Sequence, residues 1–551
     1  MSHVTRIYIT GPSGAGKTTT GRLLAAHLGW GFLDTDEMIA EEAGQSVPSL
    51  FATQGEDAFR DRESKALVRL SSMELMVIAT GGGLVEREAN RLRMRSTGWL
   101  ATLTVDPAVA IERLGLDGLA TRPLLMAEDP AQRLRALMAR RATAYGDADD
   151  VVDTSRLTPE QGTARLIGGL VAAGRLPAMG APVGLRRHIR SSLGRHLIIV
   201  ADGALGDLPD RVKTLASAAR VFVVSDELVA RLYGDSLLSR LRSAGFDVKM
   251  RTVPAGEASK TRERWASLTD WLADAHAERG DVLLALGGGM ITDLTGFVAA
   301  TYRRGMRLVL VPASLLAMVD AAIGGKVAVN LPAGKNLLGA FYPAELVVID
   351  PNMLLTLDER LIAEGMAEVI KIAAVKDANF FAELEADPTP SGHVIATAVD
   401  LKAEIVERDE RETGERLLLN FGHTIGHAIE TATGYDTWLH GEAVAAGMCA
   451  ELLLGVRAGI TPVAVAERVQ ALIRRTGLPM DFRGHAPPVA GMLAAMRHDK
   501  KIAAGEVRWA LLDEIGRGRV TTGIVEADVR AVLRELGAID VEPPSRASDQ
   551  G

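Results

Sequence analysis

TRIYITGPSGAGKTTTGRLLAAHLG, residues 5–29, reads as a short apolar strand, a glycine-rich turn and a helix in immediate succession. The turn fits G-x-x-x-x-G-K-[ST] from Gly11 to Thr18, between a strand and a helix as that motif requires. In such a loop, backbone N–H groups at a helix N-terminus wrap phosphates, which makes Gly14, Ala15, Gly16, Lys17, Thr18 and Thr19 the nucleotide contacts. Lys17 reaches the β- and γ-phosphates and Thr18 ligates Mg²⁺. The bland alternative is a chance glycine turn. The loop specifies a nucleoside triphosphate and leaves the acceptor open.

Outward from the loop, MVIAT (76–80) and LATLTV (100–105) are strand candidates separated by helical stretches such as SKALVRLSSM (64–73). That alternation predicts an α/β fold with a parallel sheet. Periodicity gives way to Gly, Pro and Ala over 172–185, which places a linker at 174–185 after a first domain, 1–173. A second α/β pattern follows: HLIIVAD, ARVFVVSD, DVKMRTVPA, DVLLALGGG and LVLVPAS. These predict a nucleotide-binding α/β domain over 186–350. Long amphipathic segments then predict a helical domain over 351–540, and the polar VEPPSRASDQG predicts a disordered tail, 541–551.

A chain of 551 residues is too long for one core. A net charge of −8 and 4% aromatic residues argue against nucleic acid as a partner. No apolar run reaches membrane-spanning length, and no signal-peptide pattern opens the chain, so a cytoplasmic enzyme of small molecules is expected. Cys449 is the only cysteine, which excludes an intrachain disulfide and a thiolate zinc cluster. Its setting, AGMCAELLLG, reads as a buried helix face and an inert thiol.

Four stretches narrow the acceptor of the first domain. FLDTDEMI carries Asp34 and Asp36 at a strand end, GEDAFRDRE carries Arg60, and ATGGG carries Gly81, Gly82 and Gly83 after a strand. TRPLL carries Arg122, and RATAY places Arg141 four residues before Tyr145. Each alone is weak, since a lone helical Arg is usually solvated. Together, in this order, they resemble shikimate kinase. The resemblance implies that Asp36, Arg60, Arg141 and the Gly81–Gly83 backbone hold shikimate, and that Asp34 joins Thr18 around Mg²⁺. It also implies that Arg122, on a closing lid, contacts ATP and neutralises charge on the transferring phosphoryl group, with Lys17, Asp36 and Arg122 catalytic.

In the second half, LGGGMITD (286–293) lets Gly287, Gly288 and Gly289 bring a pyrophosphate to a helix N-terminus, or forms a structural turn. LLLNFGHTIGHAIE (417–430) and HGEAVAAGM (440–448) bring three histidines into one short region. Spacing alone nominates His423 and His427, four apart on one helical face, as a zinc pair. HTIGH lacks the Glu of H-E-x-x-H, which disfavours a protease, and any single histidine here reads more simply as a core group.

The series GGKVAVN, GKNLLGAFY, GMAEVIK, LKAEIVERDERETGERLLLNFGHTIGHAIE, HGEAVAAGM and HDKKIAAGE resembles 3-dehydroquinate synthase over 186–540. The resemblance implies zinc, with Co²⁺ as the alternative ion, on Glu368, His423 and His440, leaving His427 to act on the substrate. It implies NAD⁺ on Asp226, Glu257, Lys260, Asp293, Ala313, Ser314, Asp320, Lys326 and Lys335 beside the three glycines. It implies Arg303, Asn336, Lys371, Lys402, Arg416, Asn420 and Lys500 or Lys501 on a heptulosonate phosphate, with Lys326, Lys371 and His427 catalytic. The implied reaction oxidises a secondary alcohol, eliminates phosphate, returns the hydride and closes a ring by an aldol step. A homodimer through this half is implied as well.

Three departures bear on NAD⁺ affinity. Thr292 stands where the family has glycine, Ala313-Ser314 replaces a Thr-Thr pair, and the family's Asn two after Asp226 is missing. The rival readings are a related sugar-phosphate cyclase, an iron-type polyol dehydrogenase, and a half reduced to a non-catalytic nucleotide-binding module. The expectation is one chain with two activities, ATP-dependent shikimate phosphorylation and NAD- and zinc-dependent formation of 3-dehydroquinate.

Overall fold

The computed structural model describes residues 3–125, 128–177, 183–192, 194–215, 220–434, 437–482, 484–498, 502–503 and 506–540. Two compact units result: Met1–Pro177 together with Ala230–Arg240, and Ala178–Val229 together with Leu241–Gly551. The 541–551 tail, Lys500 and Lys501 lie outside the described residues.

The first unit is built on five strands, β1 (Arg6–Thr10), β2 (Gly31–Asp34), β3 (Met76–Ala79), β4 (Trp99–Thr104) and β5 (Asp150–Asp153). Their order is β2-β3-β1-β4-β5 and every pairing is parallel. Ile7, Tyr8 and Ile9 of β1 are fully buried, the pattern of a strand covered on both faces. The connection after β1 runs to β2 and that after β3 runs the other way to β4, so the chain reverses direction across the neighbouring β1 and β3, and the crevice at their carboxyl ends is where such sheets take ligands. The loop after β1 opens the Lys17–Leu28 helix at that crevice. The Val47–Leu70 helix is broken at Gly55 (φ 83), and its second half carries Arg60.

In the second unit the strands are β6 (Gly184–Ser191), β7 (Gly194–Ala201), β8 (Arg220–Asp226), β9 (Asp247–Val253), β10 (Val282–Gly287), β11 (Arg307–Pro312), β12 (Lys326–Leu331), β13 (Gly334–Phe341) and β14 (Leu346–Ile349). Seven form one sheet, β6-β7-β14-β11-β10-β8-β9, parallel except where β6 meets β7. The β12–β13 hairpin stands apart from it and carries Lys326, Lys335 and Asn336.

Helices dominate after Asp350, as amphipathic periodicity predicts, among them Glu359–Lys376, Gly392–Arg408, His423–Thr433 and His440–Arg457. The expected helical region also holds a hairpin, Trp509–Glu514 with Arg517–Thr521, turning at Gly516 (φ 82). On the His423–Thr433 helix, Ile425, Ala428 and Ile429 enter a core with Trp438, Met492 and Trp509. The opposite face therefore presents His423, His427 and Glu430, at i, i+4 and i+7. Among the described residues no helix is long and apolar enough to cross a membrane.

Candidate functional site

In the first unit the glycines of the loop are dictated by space. A Cβ on Gly11 would stand 2.0 Å from the Leu103 carbonyl oxygen, and one on Gly14 2.6 Å from that of Ala110. Thr154 Oγ1 donates to the Ala15 carbonyl at 3.1 Å and fixes the loop from β5's end. Lys17 Nζ donates to the Pro12 carbonyl at 3.0 Å. Burial pushes its ammonium down to about 8, against the pull of Asp36 and Asp34. Thr18 Oγ1 donates to Asp34 Oδ2 at 2.7 Å, so the two expected Mg²⁺ groups adjoin. Asp34 ends β2, whereas Asp36 lies in the first turn of the following helix.

Asp36 is raised to about 6 by burial and by the charge of Asp34. Its Oδ1 is buried without a hydrogen bond, as is Oε1 of Glu63. A Cβ on Gly81 would lie 2.1 Å from Glu63 Oε1 and 2.7 Å from Asp36 Oδ1, so the missing side chain keeps a seat open before two carboxylates. A Cβ on Gly83 would strike the Arg60 guanidinium at 2.2 Å. Arg60 donates to Glu63 Oε2 at 2.7 Å and to Glu56 Oε1 at 2.9 Å. Arg141 is buried, and its Nε donates to Glu86 Oε1 at 2.7 Å. Tyr145 donates to the Gly82 carbonyl at 2.9 Å. Arg122 Nη1 donates to the Gly118 carbonyl at 2.7 Å, and burial lowers its guanidinium against the charges of Asp36 and Asp34. Lys17, Asp34, Asp36, Arg60, Arg122 and Arg141 lie close enough that their charges act on Lys17 or Asp36.

In the second unit Glu368 comes from the Glu359–Lys376 helix, while His423 and His440 each begin a helix. Their ligand atoms lie within 4.8 Å of one another. His423 Nε2 stands 3.6 Å and His440 Nε2 3.9 Å from Glu368 Oε1, an oxygen that is buried and accepts no hydrogen bond. A buried carboxylate oxygen without a donor is costly, and two imidazoles converging on it make an N₂O set that suits zinc with positions left open. His427 is not in this triad; it groups instead with Glu430 and His440. Spacing alone had paired His423 with His427. The geometry pairs His423 with His440, in line with the resemblance.

Cations crowd around the triad. Lys371 pairs with Glu368, and Lys402 pairs with Asp320, whose carboxyl is held well below its usual range by Lys402 and Lys371 despite burial. Lys326 pairs with Glu412, which also accepts from Asn420 Nδ2 at 2.8 Å. Arg416 donates to the Glu410 carbonyl at 2.8 Å, and a Cβ on Gly324 would stand 2.5 Å from its Nη2. His440 is raised to about 9: burial acts against its charge, but Glu430, Glu368 and Asp320 outweigh it. Arg303 is exposed with a left-handed backbone (φ 47), and its Nε donates to the Ala277 carbonyl at 2.9 Å.

On the dinucleotide side, Gly287 ends β10 and Gly289 opens the Gly289–Thr301 helix. Asp226 Oδ1 accepts from the Leu228 and Val229 amides at 2.9 Å. Lys260 Nζ reaches Asp293 Oδ2 at 2.5 Å and Asn336 Oδ1 at 2.6 Å, and Asn330 donates to Glu257 at 2.8 Å. Thr292 is buried and spends its hydroxyl on the Gly289 carbonyl at 2.9 Å, inside its own helix. Ser314 Oγ accepts from the Ala317 amide at 3.3 Å, and the Ala313 amide donates to the Gly287 carbonyl at 2.9 Å.

Residues 250–364 match the family model described as 3-dehydroquinate synthase N-terminal, and 365–502 match 3-dehydroquinate synthase C-terminal. A 3-dehydroquinate synthase of Desulforamulus reducens is 42% identical over 347 residues, covering 61% of this chain and 96% of that relative. The chain belongs to the 3-dehydroquinate synthase family. One from Nostoc punctiforme is also 42% identical, over 349 residues, with 62% of this chain and 96% of the relative covered. Among solved structures, a 2-epi-5-epi-valiolone synthase of Streptomyces hygroscopicus subsp. jinggangensis, with NAD⁺ and Zn²⁺ bound, is 30% identical. It has a TM-score of 0.57, covering 62% of this chain and 96% of its own. Residues 13–170 match the model described as shikimate kinase, so the chain joins a kinase domain to a synthase.

Several groups that shape these sites escape a reading of sequence. Glu63, Glu86 and Glu412 each hold a cation expected to bind substrate, yet each sits among other charged residues with no distinguishing pattern. Glu430 was missed as well, although its place three residues after His427 on the same helical face could have marked it.

Proposed function

We propose that the first unit transfers the γ-phosphoryl group of Mg-ATP to the 3-hydroxyl of shikimate. The second unit, we propose, converts 3-deoxy-D-arabino-heptulosonate 7-phosphate to 3-dehydroquinate and phosphate. The carrying observation is the unpartnered Glu368 Oε1 between two imidazoles, amid Lys371, Lys402, Lys326 and Arg416. A substrate bearing both carboxylate and phosphate needs such a set of cations, and a polyol dehydrogenase would not. The 42% identity to synthases favours this substrate over that of the valiolone synthase.

Zinc on Glu368, His423 and His440 would polarise a substrate hydroxyl, and NAD⁺ at the Gly287–Gly289 loop would accept and return a hydride. Around these groups the chain's own residues position and exchange protons. Lys371 and Lys402 hold anionic oxygens, and Lys326, Asn420 and Arg416 leave Glu412, Glu410 and Gly324 to do the same. His427, near His423 and His440 but outside their triad, moves a proton on the substrate. In the kinase unit, ionised Asp36 accepts the reacting hydroxyl, Arg60 and Arg141 take the carboxylate, and Lys17 and Arg122 face the phosphates. Lys500 or Lys501 completes the phosphate seat. The protein is proposed to be cytoplasmic and homodimeric through the synthase half.

The test is metal content beside turnover. His423→Ala should lose bound zinc; His427→Ala should keep it and lose most phosphate release. Equal metal content in the two variants contradicts the assignment.

A further inference from the structure

His440 faces two carboxylates with its two nitrogens. Nε2 lies 3.9 Å from Glu368 Oε1, on the side of the triad, and Nδ1 lies 3.5 Å from Glu430 Oε1. Glu430 is 2% exposed and belongs to the same helix as His423. We infer that Glu430 is a positioning residue for the metal centre, holding the Nδ1 edge of His440 so that Nε2 presents its lone pair beside Glu368. This rests on the metal-centre reading above.

A neutral imidazole carries one N–H, and the nitrogen that faces an acceptor keeps it. With the proton on Nδ1 toward Glu430, Nε2 is left as the donor to a cation. Metal-binding histidines commonly have their second nitrogen fixed in this way, and loss of the partner weakens metal binding by about 10- to 100-fold.

The rival role for Glu430 is ligation, because His427, Glu430 and His440 also cluster closely enough to hold an ion. One observation sets it aside. Lys335 Nζ donates to Glu430 Oε1 at 3.0 Å, so the oxygen nearest His440 already carries a cation. Lys335 comes from the β12–β13 hairpin, so Glu430 ties that hairpin to the His440 ring.

The experiment titrates Co²⁺ into chelator-stripped full-length protein, following its visible absorption and a competing chelator. Glu430→Gln should weaken Co²⁺ binding by about 10- to 100-fold with the wild-type absorption spectrum retained. Glu430→Asp, which keeps the charge, should fall between, and both variants should keep the wild-type circular dichroism spectrum and thermal transition of the full-length protein, which reports an intact fold. Unchanged Co²⁺ affinity in both variants overturns the inference. A changed spectrum in Glu430→Gln overturns it too, by making Glu430 a ligand. Wild-type protein that binds no Co²⁺ refutes the metal-centre reading, and this inference with it.

Discussion

The two helices that begin with His423 and His440 meet backbone to backbone, and Gly447→Ala tests whether that contact sets the metal centre. A Cβ at 447 would lie 2.1 Å from the Gly422 carbonyl oxygen and 2.9 Å from the Gly426 amide nitrogen. Since real contacts stay beyond 3.0 Å, the helices must part by about 1 Å. Sliding is obstructed, because Glu451 Oε2, on the same helix as Gly447, accepts the Gly422 amide at 2.8 Å. Overpacking of this kind costs about 1–3 kcal/mol of stability. The larger effect is geometric: Gly422 immediately precedes His423, and metal sites tolerate ligand displacements of only ~0.2 Å. A misplacement near 1 Å costs about 100-fold in rate. We therefore expect Gly447→Ala to bind Zn²⁺ at least tenfold more weakly and to lose about 100-fold in phosphate release, with kinase turnover unchanged. Gly280→Ala, where a Cβ meets nothing within 4 Å, is the control. Zinc affinity and synthase rate within twofold of wild type in Gly447→Ala would refute the reasoning.

Three other outcomes are expected. Asp36 must be ionised to accept a hydroxyl, and its folded value is raised to about 6, so kinase kcat/KM should fall as pH drops through 6 with a slope of one proton; a profile flat to pH 5 contradicts the role. Glu86→Gln removes a carboxylate from Arg141, and because Glu86 is 32% exposed and screened, KM for shikimate should fall only about three- to tenfold at unchanged kcat; an unchanged or raised KM shows that Glu86 does not compete for Arg141. Restoring glycine at 292 and threonine at 313 should lower the NAD⁺ concentration needed for half-maximal synthase rate, and full activity of the purified wild type without added NAD⁺ rules the idea out.

Strands and motif loops were legible because their signals are local. β1, its glycine turn and the next helix follow from a buried run, a spacing and a periodicity within a few turns of chain. The Trp509–Thr521 hairpin was hidden because its strands are short and the surrounding pattern is helical. At the sites, spacing within one helix suggested His423 with His427, whereas the triad draws Glu368 and His440 from two other helices. Such convergence is set by packing, here by Gly447 against Gly422, and no periodicity reports it. Thr292 shows the reverse: a residue marked as a departure satisfies its hydroxyl within its own helix. Glu86 and Glu412 matter through partners 55 and 86 residues away, which a linear reading does not connect, whereas Glu63 stands three residues after Arg60 on one helix, a spacing that could have paired them.

The most direct test of two active sites in one chain is a paired assay on purified full-length protein. Shikimate-dependent ADP formation and phosphate release from the heptulosonate phosphate are followed before chelation, after it, and after re-addition of metals. Both reactions should occur, Mg²⁺ alone should restore the kinase, and the synthase should also require Zn²⁺ and NAD⁺. Recovery of phosphate release with Mg²⁺ alone, or absence of either reaction under full supplementation, would contradict it.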